Sequence, residues 1–234
     1  MDLDFTNRHV VVTGGTGALG AAVVERLVTA GATVHVPASR APDASAFPLA
    51  RHDRVKIVTG VDLRDEAQVQ AFYGSTPPLW ASIHSAGGFA ASPLLQTTLA
   101  DFREMFDINA VTCFLCCREA VRSIRGAGAT GGRIVNVAAK PAVSPVAGLA
   151  AYSASKAAVA NLTLALSEEL ASEGIWVNAV LPSIMDTPAN RSAMPKADFA
   201  KWPKVTEVAE TIAFLASPQN AVTRGALVPT YGRS

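Results

Sequence analysis

The stretch that decides the fold is His9-Val10-Val11-Val12-Thr13-Gly14-Gly15-Thr16-Gly17-Ala18-Leu19-Gly20. Its first five residues form an apolar, mostly β-branched run, which is typical of a strand buried on both faces of a parallel sheet. The glycines permit a tight turn, and residues 21–30 are predicted to form a helix that Gly31 ends. Such a turn presents backbone N–H groups at a helix N-terminus, where they can bind a pyrophosphate. A glycine cluster by itself indicates only a turn.

Strand-like apolar runs alternate with helix-like segments along the rest of the chain, which predicts βαβ units. The predicted strands are 9–13, 33–36, 54–59, 80–85, 133–137, 175–181 and 226–229, and the predicted helices are 21–30, 65–73, 99–124, 150–172 and 205–216. The expected fold is therefore α/β: a Rossmann-type doubly wound, mainly parallel sheet of about seven strands flanked by helices. Residues 38–51 and 126–132 are expected to be loops.

Neither a repeat nor a linker divides the sequence, so residues 1–234 are predicted to form one domain, with residues 183–202 as a small, mobile lid. The chain has 20 Lys and Arg against 19 Asp and Glu, for a net charge of +1. This balance predicts no nucleic-acid partner and no anionic membrane surface, and it favours a small molecule held in a pocket.

The N-terminus and the cysteines indicate the compartment. Residues 1–4 lack the basic and then apolar order of a signal peptide, and no apolar run approaches the roughly 20 residues that span a bilayer. Cys113, Cys116 and Cys117 lie in one predicted helix, and an odd, clustered set makes a poor disulfide framework. No His or Asp pattern beside them resembles a zinc site, so no metal is predicted. A reducing cytoplasm is the expected location.

The segment Tyr152-Ser153-Ala154-Ser155-Lys156 opens a predicted helix and carries the candidate chemistry. Tyr152 and Lys156 share one helical face, because residues at i and i+4 are neighbours. A phenol titrates near pH 10, and a fixed cation nearby is expected to bring that pKa toward the neutral range. A bare Tyr-x-x-x-Lys pattern also occurs in ordinary amphipathic helices.

Taken with the glycine turn, these residues resemble the short-chain dehydrogenase/reductase family. Its cofactor loop reads Thr-Gly, three residues, Gly, one residue, Gly; Thr13, Gly14 and Gly20 match, and Ala18 replaces the middle glycine. The resemblance implies an NAD(P)(H)-dependent oxidoreductase in which Tyr152 is the acid or base and Lys156 holds the nicotinamide ribose. It also implies that Asn109 supports a water relay to the lysine. The alternative is that Asn109 bonds its own helix backbone.

The resemblance also implies a cofactor site. Its expected residues are Gly14, Thr16, Gly17, Ala18, Leu19, Gly20, Ser39, Arg40, Asp62, Leu63, Ala86, Gly87, Tyr152, Lys156, Pro182, Ile184 and Thr187. No acid lies within residues 33–42, and Ser39 with Arg40 can receive a 2′-phosphate, so NADP is preferred over NAD. The alternatives are that Arg40 only begins a solvated loop and that Asp62, the family's adenine contact, is a helix N-cap. In the same way Asp186, which precedes Thr187, is a candidate cap for a lid helix.

The sequence departs from the family at several positions. Ala139 stands where the family has its catalytic serine, and such a donor often contributes about 2.7–4 kcal/mol of transition-state stabilisation. Ser144 is a candidate replacement. His84 and Ser85 replace two asparagines, and His84 is either a proton carrier or a brace for the sheet. Ser183 replaces a glycine after Pro182.

The missing serine leaves several functions open. The glycine loop and the Ala139-Lys140 pair resemble the dihydropteridine reductase subfamily, which reduces a quinonoid ring without the serine, although its acid after the second strand is absent here. The first hypothesis is hydride transfer between nicotinamide and a conjugated acceptor, such as a quinonoid pterin, quinone or imine. The second is a small carbonyl substrate with a displaced serine, and the third a catalytically weak, cofactor-binding regulatory protein. The helices near 99–124 and 150–172 are expected to pair copies into a homodimer or homotetramer.

Overall fold

The computed structural model describes residues 3–43, 45, 47–126, 128 and 131–234. It contains one sheet in the order β3-β2-β1-β4-β5-β6-β7, and every pair of neighbouring strands is parallel. The strands are β1 (His9–Thr13), β2 (Thr33–Ala38), β3 (Val55–Thr59), β4 (Ala81–His84), β5 (Gly132–Val137), β6 (Ile175–Pro182) and β7 (Leu227–Thr230). The predicted doubly wound α/β fold is confirmed.

The described part of the chain contains seven α-helices. They are α1 (Ala18–Thr29), α2 (Glu66–Gly74), α3 (Leu99–Phe106), α4 (Thr112–Gly126), α5 (Ala150–Glu169), α6 (Pro188–Ala193) and α7 (Val205–Ala216). Successive side chains of β1 point to opposite faces: Val10 and Val12 pack with α1 and α7, whereas Val11 packs with α2, α4 and α5. Both faces of the sheet are therefore buried. None of the described helices is long and apolar enough to span a bilayer.

Several predicted boundaries are wrong for identifiable reasons. The first helix begins at Ala18, because the last residues of the glycine stretch form its first turn. Strand β2 continues through Pro37 to Ala38. Its pairing with β1 ends where Val11 lies opposite His35, so Pro37 has no partner on β1 that requires an N–H group. Helix α5 ends at Glu169 and a 3₁₀ turn follows. The predicted loops at 38–51 and 126–132, and the acidic N-terminus, fall partly outside the described residues.

The long helix predicted over 99–124 is interrupted. A π-helical segment, Asp107–Val111, separates α3 from α4. A π turn adds one residue to a single helical turn. The spacing of apolar residues on either side changes too little for the sequence to reveal the interruption. The insertion turns Asn109 inward, where it is 1% exposed.

The chain order of the sheet reverses between β1 and β4. From β1 the chain goes outward to β2 and β3, and it then returns to β4 on the other side of β1. Crossover helices consequently leave a crevice at the carboxyl ends of these strands, where α/β sheets bind ligands. The turn after β1 closes one side of this crevice, and Gly20 makes that turn possible. A Cβ on Gly20 would lie 2.1 Å from the Gly14 carbonyl oxygen.

We expect Gly20→Ala to destabilise the fold by about 1–3 kcal/mol, because the added methyl group overlaps the turn backbone and forces it to move. Urea unfolding measures the change in free energy. Gly74→Ala is the matched control: this helical glycine has open space around its Cβ position, so the same substitution is expected to be neutral or stabilising by up to about 1 kcal/mol. Equal effects of the two substitutions would contradict the prediction.

Candidate active site

A cleft of about 880 Å³ lies at the carboxyl edge of β1, β2 and β4. The structure brings nine of the predicted cofactor residues together in its walls: Gly14, Thr16, Gly17, Ser39, Arg40, Asp62, Leu63, Ala86 and Gly87. The remaining predicted residues, Ala18, Leu19, Gly20, Tyr152, Lys156, Pro182, Ile184 and Thr187, are not among the lining residues. The residues that line the cleft include the loops that follow β1, β2, β3 and β4.

The N-terminus of α1 points its backbone N–H groups toward this cleft. Gly17 is the N-cap, and neither a capping side chain nor an acidic residue occupies the first turn of α1, all of which the structure describes. Gly14 has φ +65°, and a Cβ there would lie 2.7 Å from the Ala86 backbone nitrogen. The first-turn N–H groups lack helical partners, so this turn fits the pyrophosphate of a dinucleotide.

The other end of the cleft carries opposite charges. Ser39 and Arg40 are exposed on its wall, and Arg40 forms no salt bridge with any described residue. Asp43 lies on the same wall, although the sequence prediction stopped one residue short of it. Its Oδ1 accepts hydrogen bonds from the backbone N–H and the hydroxyl of Ser45, at 2.8 Å each, and these bonds lower the pKa of Asp43.

Asp62 is not the N-cap of the following helix; Asp65 caps α2 by accepting a hydrogen bond from the Gln68 backbone. Asp62 instead accepts two hydrogen bonds from the Arg64 guanidinium, at 3.0 and 2.8 Å, which lower its pKa. Arg64 also reaches Glu104 at 3.4 Å. The Arg64 charge is therefore already neutralised, which leaves Arg40 as the cation in the cleft that can meet a phosphate.

Tyr152 and Lys156 lie in the first two turns of α5. The Lys156 ammonium donates a 2.8 Å hydrogen bond to the Val137 carbonyl at the end of β5, and burial lowers its pKa to about 8. Burial also raises the pKa of Tyr152 to about 12. The expectation that Lys156 brings the phenol toward neutrality is therefore wrong for this structure, because loss of hydration dominates and the ammonium is directed at Val137.

A phenylalanine at the start of the segment 89–97, to which the sequence analysis assigns substrate specificity, lies against the tyrosine. The Phe89 ring meets the Tyr152 ring edge-on, with 4.9 Å between their centroids, and Phe89 is 65% exposed. Phe89 directly follows Gly87 and Gly88 in the predicted cofactor loop. An aromatic residue next to that loop is the sequence feature that indicates its place near the site. One side of the tyrosine is thereby shielded from water, and an aromatic surface faces the solvent beside it.

Asn109 bonds neither its own helix backbone nor Lys156. Its side-chain amide accepts a hydrogen bond from the Gly88 N–H and donates one to the Gly88 carbonyl, both at 3.1 Å, and donates another to the Ser155 hydroxyl at 3.2 Å. A Cβ on Gly87 would lie 2.6 Å from Asn109 Oδ1 and 3.2 Å from Lys156 Nζ. Asn109, in the π turn, thus hydrogen-bonds both the backbone after β4 and helix α5, and it holds these segments in position.

The position of the family's serine holds a buried methyl group. Ala139 is 5% exposed, and Ser144 is exposed on the turn that follows it. His84 is buried inside the sheet: it is 3% exposed, its Nδ1 lies 2.8 Å from Asn136 Oδ1, and its Nε2 lies 2.9 Å from Ser82 Oγ. The position that holds the family's serine therefore carries no hydroxyl group in this chain.

The segment 183–202 contains α6 and a 3₁₀ turn, Phe199–Lys201. Thr187 caps α6 by accepting a hydrogen bond from the Asn190 backbone, so the proposed capping role of Asp186 is wrong. Asp186 pairs with Arg191 at 2.6 Å. Ile184 is 44% exposed, and the Ser183 hydroxyl donates to the Tyr231 carbonyl at 2.9 Å.

Comparisons with known proteins agree with this geometry. A family model described as short chain dehydrogenase matches residues 8–198. A cis-4-hydroxycyclohexanecarboxylate dehydrogenase from Sinomonas cyclohexanicum is 35% identical over 246 residues, covering 97% of this chain and 96% of the relative. A cyclic-di-GMP-binding biofilm dispersal mediator protein from Escherichia coli is 29% identical over 231 residues, covering 95% of both chains.

Among solved structures, a short chain oxidoreductase from Pseudomonas aeruginosa PAO1, described as containing an atypical catalytic center, superposes with a TM-score of 0.87. It is 25% identical, and the match covers 98% of this chain and 97% of that one. Because the family model spans well over half of the sequence, this chain belongs to the short-chain dehydrogenase/reductase family and is an NAD(P)-dependent oxidoreductase.

Proposed function

We propose that this oxidoreductase reduces a small cyclic, conjugated acceptor, such as a quinonoid pterin, quinone or imine, with Tyr152 as the proton donor. The observations that carry the proposal are a half-buried phenol at Tyr152, whose pKa is raised to about 12, and a methyl group at Ala139. A conjugated acceptor is already polarised, so its reduction needs less help from a hydroxyl donor of the kind that Ala139 lacks.

The chain's own residues divide the work. NAD(P)H, when bound, supplies the hydride. Tyr152 holds the proton that the acceptor takes up, and Lys156, fixed by the Val137 carbonyl, carries a positive charge one helical turn from Tyr152. The exposed Phe89 ring provides a flat apolar surface next to Tyr152 for a planar substrate. The substrate named for the Sinomonas relative also contains a six-membered ring, which supports a cyclic substrate.

Two alternatives have an observation behind them. A simple carbonyl oxidoreductase in which Ser144 moves into the site is compatible with the position of Ser144 on an exposed turn. A catalytically weak, cofactor-binding regulatory protein is supported by Ala139 and by the biofilm dispersal mediator among the relatives. The reducing cytoplasm remains our expectation for the compartment, in line with three free, buried thiols.

The substrate class is tested by following nicotinamide oxidation with a quinonoid dihydropterin, a quinone, an imine and a panel of simple ketones. We expect turnover of at least one conjugated acceptor, weak or no turnover of ketones, and a loss of about 10²–10⁴-fold in Tyr152→Phe. Ser144→Ala is the control and is expected to leave the rate unchanged. Ketone turnover that depends on Ser144 would favour the second alternative, and no turnover of any acceptor would favour the regulatory one.

The pH profile follows from the two buried groups. The Tyr152 phenol stays protonated well beyond neutral pH, since its pKa is raised to about 12, whereas Lys156 loses its proton as the pH passes about 8. We therefore expect kcat/KM for reduction to be level from about pH 6 to pH 7 and to fall above about pH 8, while the reverse oxidation rises with pH. A reduction rate that increases from about pH 6 to pH 9 would contradict these assignments.

We propose NADP as the preferred cofactor, because Arg40 is the cation in the cleft without an acidic partner among the described residues. Arg40→Ala is expected to raise the KM for NADPH by roughly 10-fold to 100-fold and to leave the KM for NADH nearly unchanged. Arg51→Ala, which removes the same charge from an exposed site outside the cleft, is the control. Preference for NADH in the parent enzyme, weakened by Asp43→Asn, would instead assign the ribose contact to Asp43.

We propose that copies pair through the outer faces of α4 and α5. Phe114 on α4 is 47% exposed and Leu164 on α5 is 38% exposed. Light scattering at micromolar concentration should give the mass of a dimer or a tetramer, and the double substitution of Phe114 and Leu164 by Glu should give smaller species. Val222→Glu, at an 85% exposed site elsewhere, is the control. A monomeric parent protein would refute the proposal.

A further inference from the structure

We propose that His84, Cys113 and Cys117 form a buried site for a thiophilic cation, Zn²⁺, behind the active site. Their donor atoms, His84 Nδ1 and the two Sγ atoms, all lie within 4.8 Å of one another, and the three residues are 3%, 5% and 1% exposed. The sequence analysis predicts no metal at the cysteines, because the histidine that completes the set ends β4 and is distant from α4 along the chain. The proposal is independent of the substrate class.

The helix supplies two ligands with a spacing that metals use. Cys113 and Cys117 are four residues apart on α4, so their thiols share one face, as paired ligands do in helical zinc motifs. Their Sγ atoms are 4.0 Å apart, and all three cysteines are free. Cys116 lies on a different side of the helix, against the Tyr73 hydroxyl, and takes no part in the cluster.

The distances fit a coordination sphere. With Zn–S of about 2.3 Å and Zn–N of about 2.0–2.1 Å, ligand atoms around a tetrahedral ion lie roughly 3.4–3.8 Å apart. The observed separations are 4.0 Å between the two Sγ atoms and 3.4 Å from Cys117 Sγ to His84 Nδ1. The third separation, between Cys113 Sγ and the imidazole, is within 4.8 Å, so the Cys113 side chain has to turn toward the histidine before all three donors surround one ion.

His84 is already oriented by partners on its other nitrogen. Its Nε2 lies 2.9 Å from Ser82 Oγ and 3.4 Å from the Tyr73 hydroxyl. Without a metal, the Nδ1–H donates to Asn136 Oδ1, because an amide oxygen only accepts. Metal binding moves the proton to Nε2, where it donates to Ser82 Oγ and leaves the Nδ1 lone pair facing Cys117, as metal-binding histidines are usually arranged. The ion then replaces the 2.8 Å contact of Nδ1 with Asn136 Oδ1, and this oxygen, 3.5 Å from Cys117 Sγ, becomes available as a fourth ligand.

The charges balance inside the core. Zn²⁺ displaces one proton from each thiol, so that two Zn–S bonds form, two protons leave, and no electron is transferred. The resulting Zn²⁺ with two thiolates and a neutral imidazole carries no net charge, which avoids burying an unpaired charge.

Metal binding is measured on the whole reduced protein, stripped with a chelator and titrated with Co²⁺ and then Zn²⁺, both in the native state and after refolding with the metal. We expect one Co²⁺ per chain with a sulfur-to-cobalt charge-transfer band, displacement by Zn²⁺, and release of two protons. Cys116→Ser is expected to bind like the parent. Cys117→Ser should lose the band, and Ser82→Ala should weaken binding by about 10-fold to 100-fold.

Native mass spectrometry gives a second measurement that does not depend on the variants folding. The parent protein refolded with Zn²⁺ should gain the mass of one zinc ion less two protons. The proposal is overturned if neither the native nor the refolded parent shows a charge-transfer band, if the refolded parent retains no zinc, or if the band persists when Cys113 and Cys117 are both replaced by serine.

Discussion

The structure depends on the close approach of two backbone turns, the one after β1 and the one after β4. Gly14 lies so near the Ser85–Ala86 backbone that a Cβ would fall within 2.9 Å of it, and Gly20 packs its α-carbon onto Gly14. This contact sets the width of the crevice where the chain order reverses. It also leaves the first N–H groups of α1 facing the cleft, so the cofactor site follows from sheet topology and from residues without side chains.

The same edge of the sheet sets the electrostatics of the reacting groups. The carbonyl at the end of β5 holds Lys156, and Asn109, turned inward by the π segment, ties Gly88 to α5. Burial then acts on both reacting groups in opposite directions, raising the pKa of Tyr152 and lowering that of Lys156. We propose that a phenol that keeps its proton suits reduction, and that the methyl group of Ala139 restricts the acceptors that the enzyme can reduce.

Much of this was predictable from local patterns. The β-branched run at 9–13, the glycine turn and the i, i+4 pair of Tyr152 and Lys156 are short-range signals, and the strands and helices around them lie close to their predicted positions. Long-range effects were not predictable. The π turn shifts Asn109 by one residue, desolvation reverses the expected pKa of Tyr152, and the fold brings Phe89 to Tyr152 and His84 to the cysteines. Each depends on packing between segments that are distant in sequence.

The central claim is that Tyr152 delivers a proton to a conjugated acceptor in the step that transfers the hydride. Kinetic isotope effects on kcat/KM test it most directly, with NADPH deuterated at carbon 4 and with D₂O as solvent, using a quinonoid acceptor. The account predicts a primary isotope effect and a solvent isotope effect that appear together on the same step. A clear primary effect with no solvent effect at any pH would show that the proton does not move with the hydride, and it would contradict the role of Tyr152.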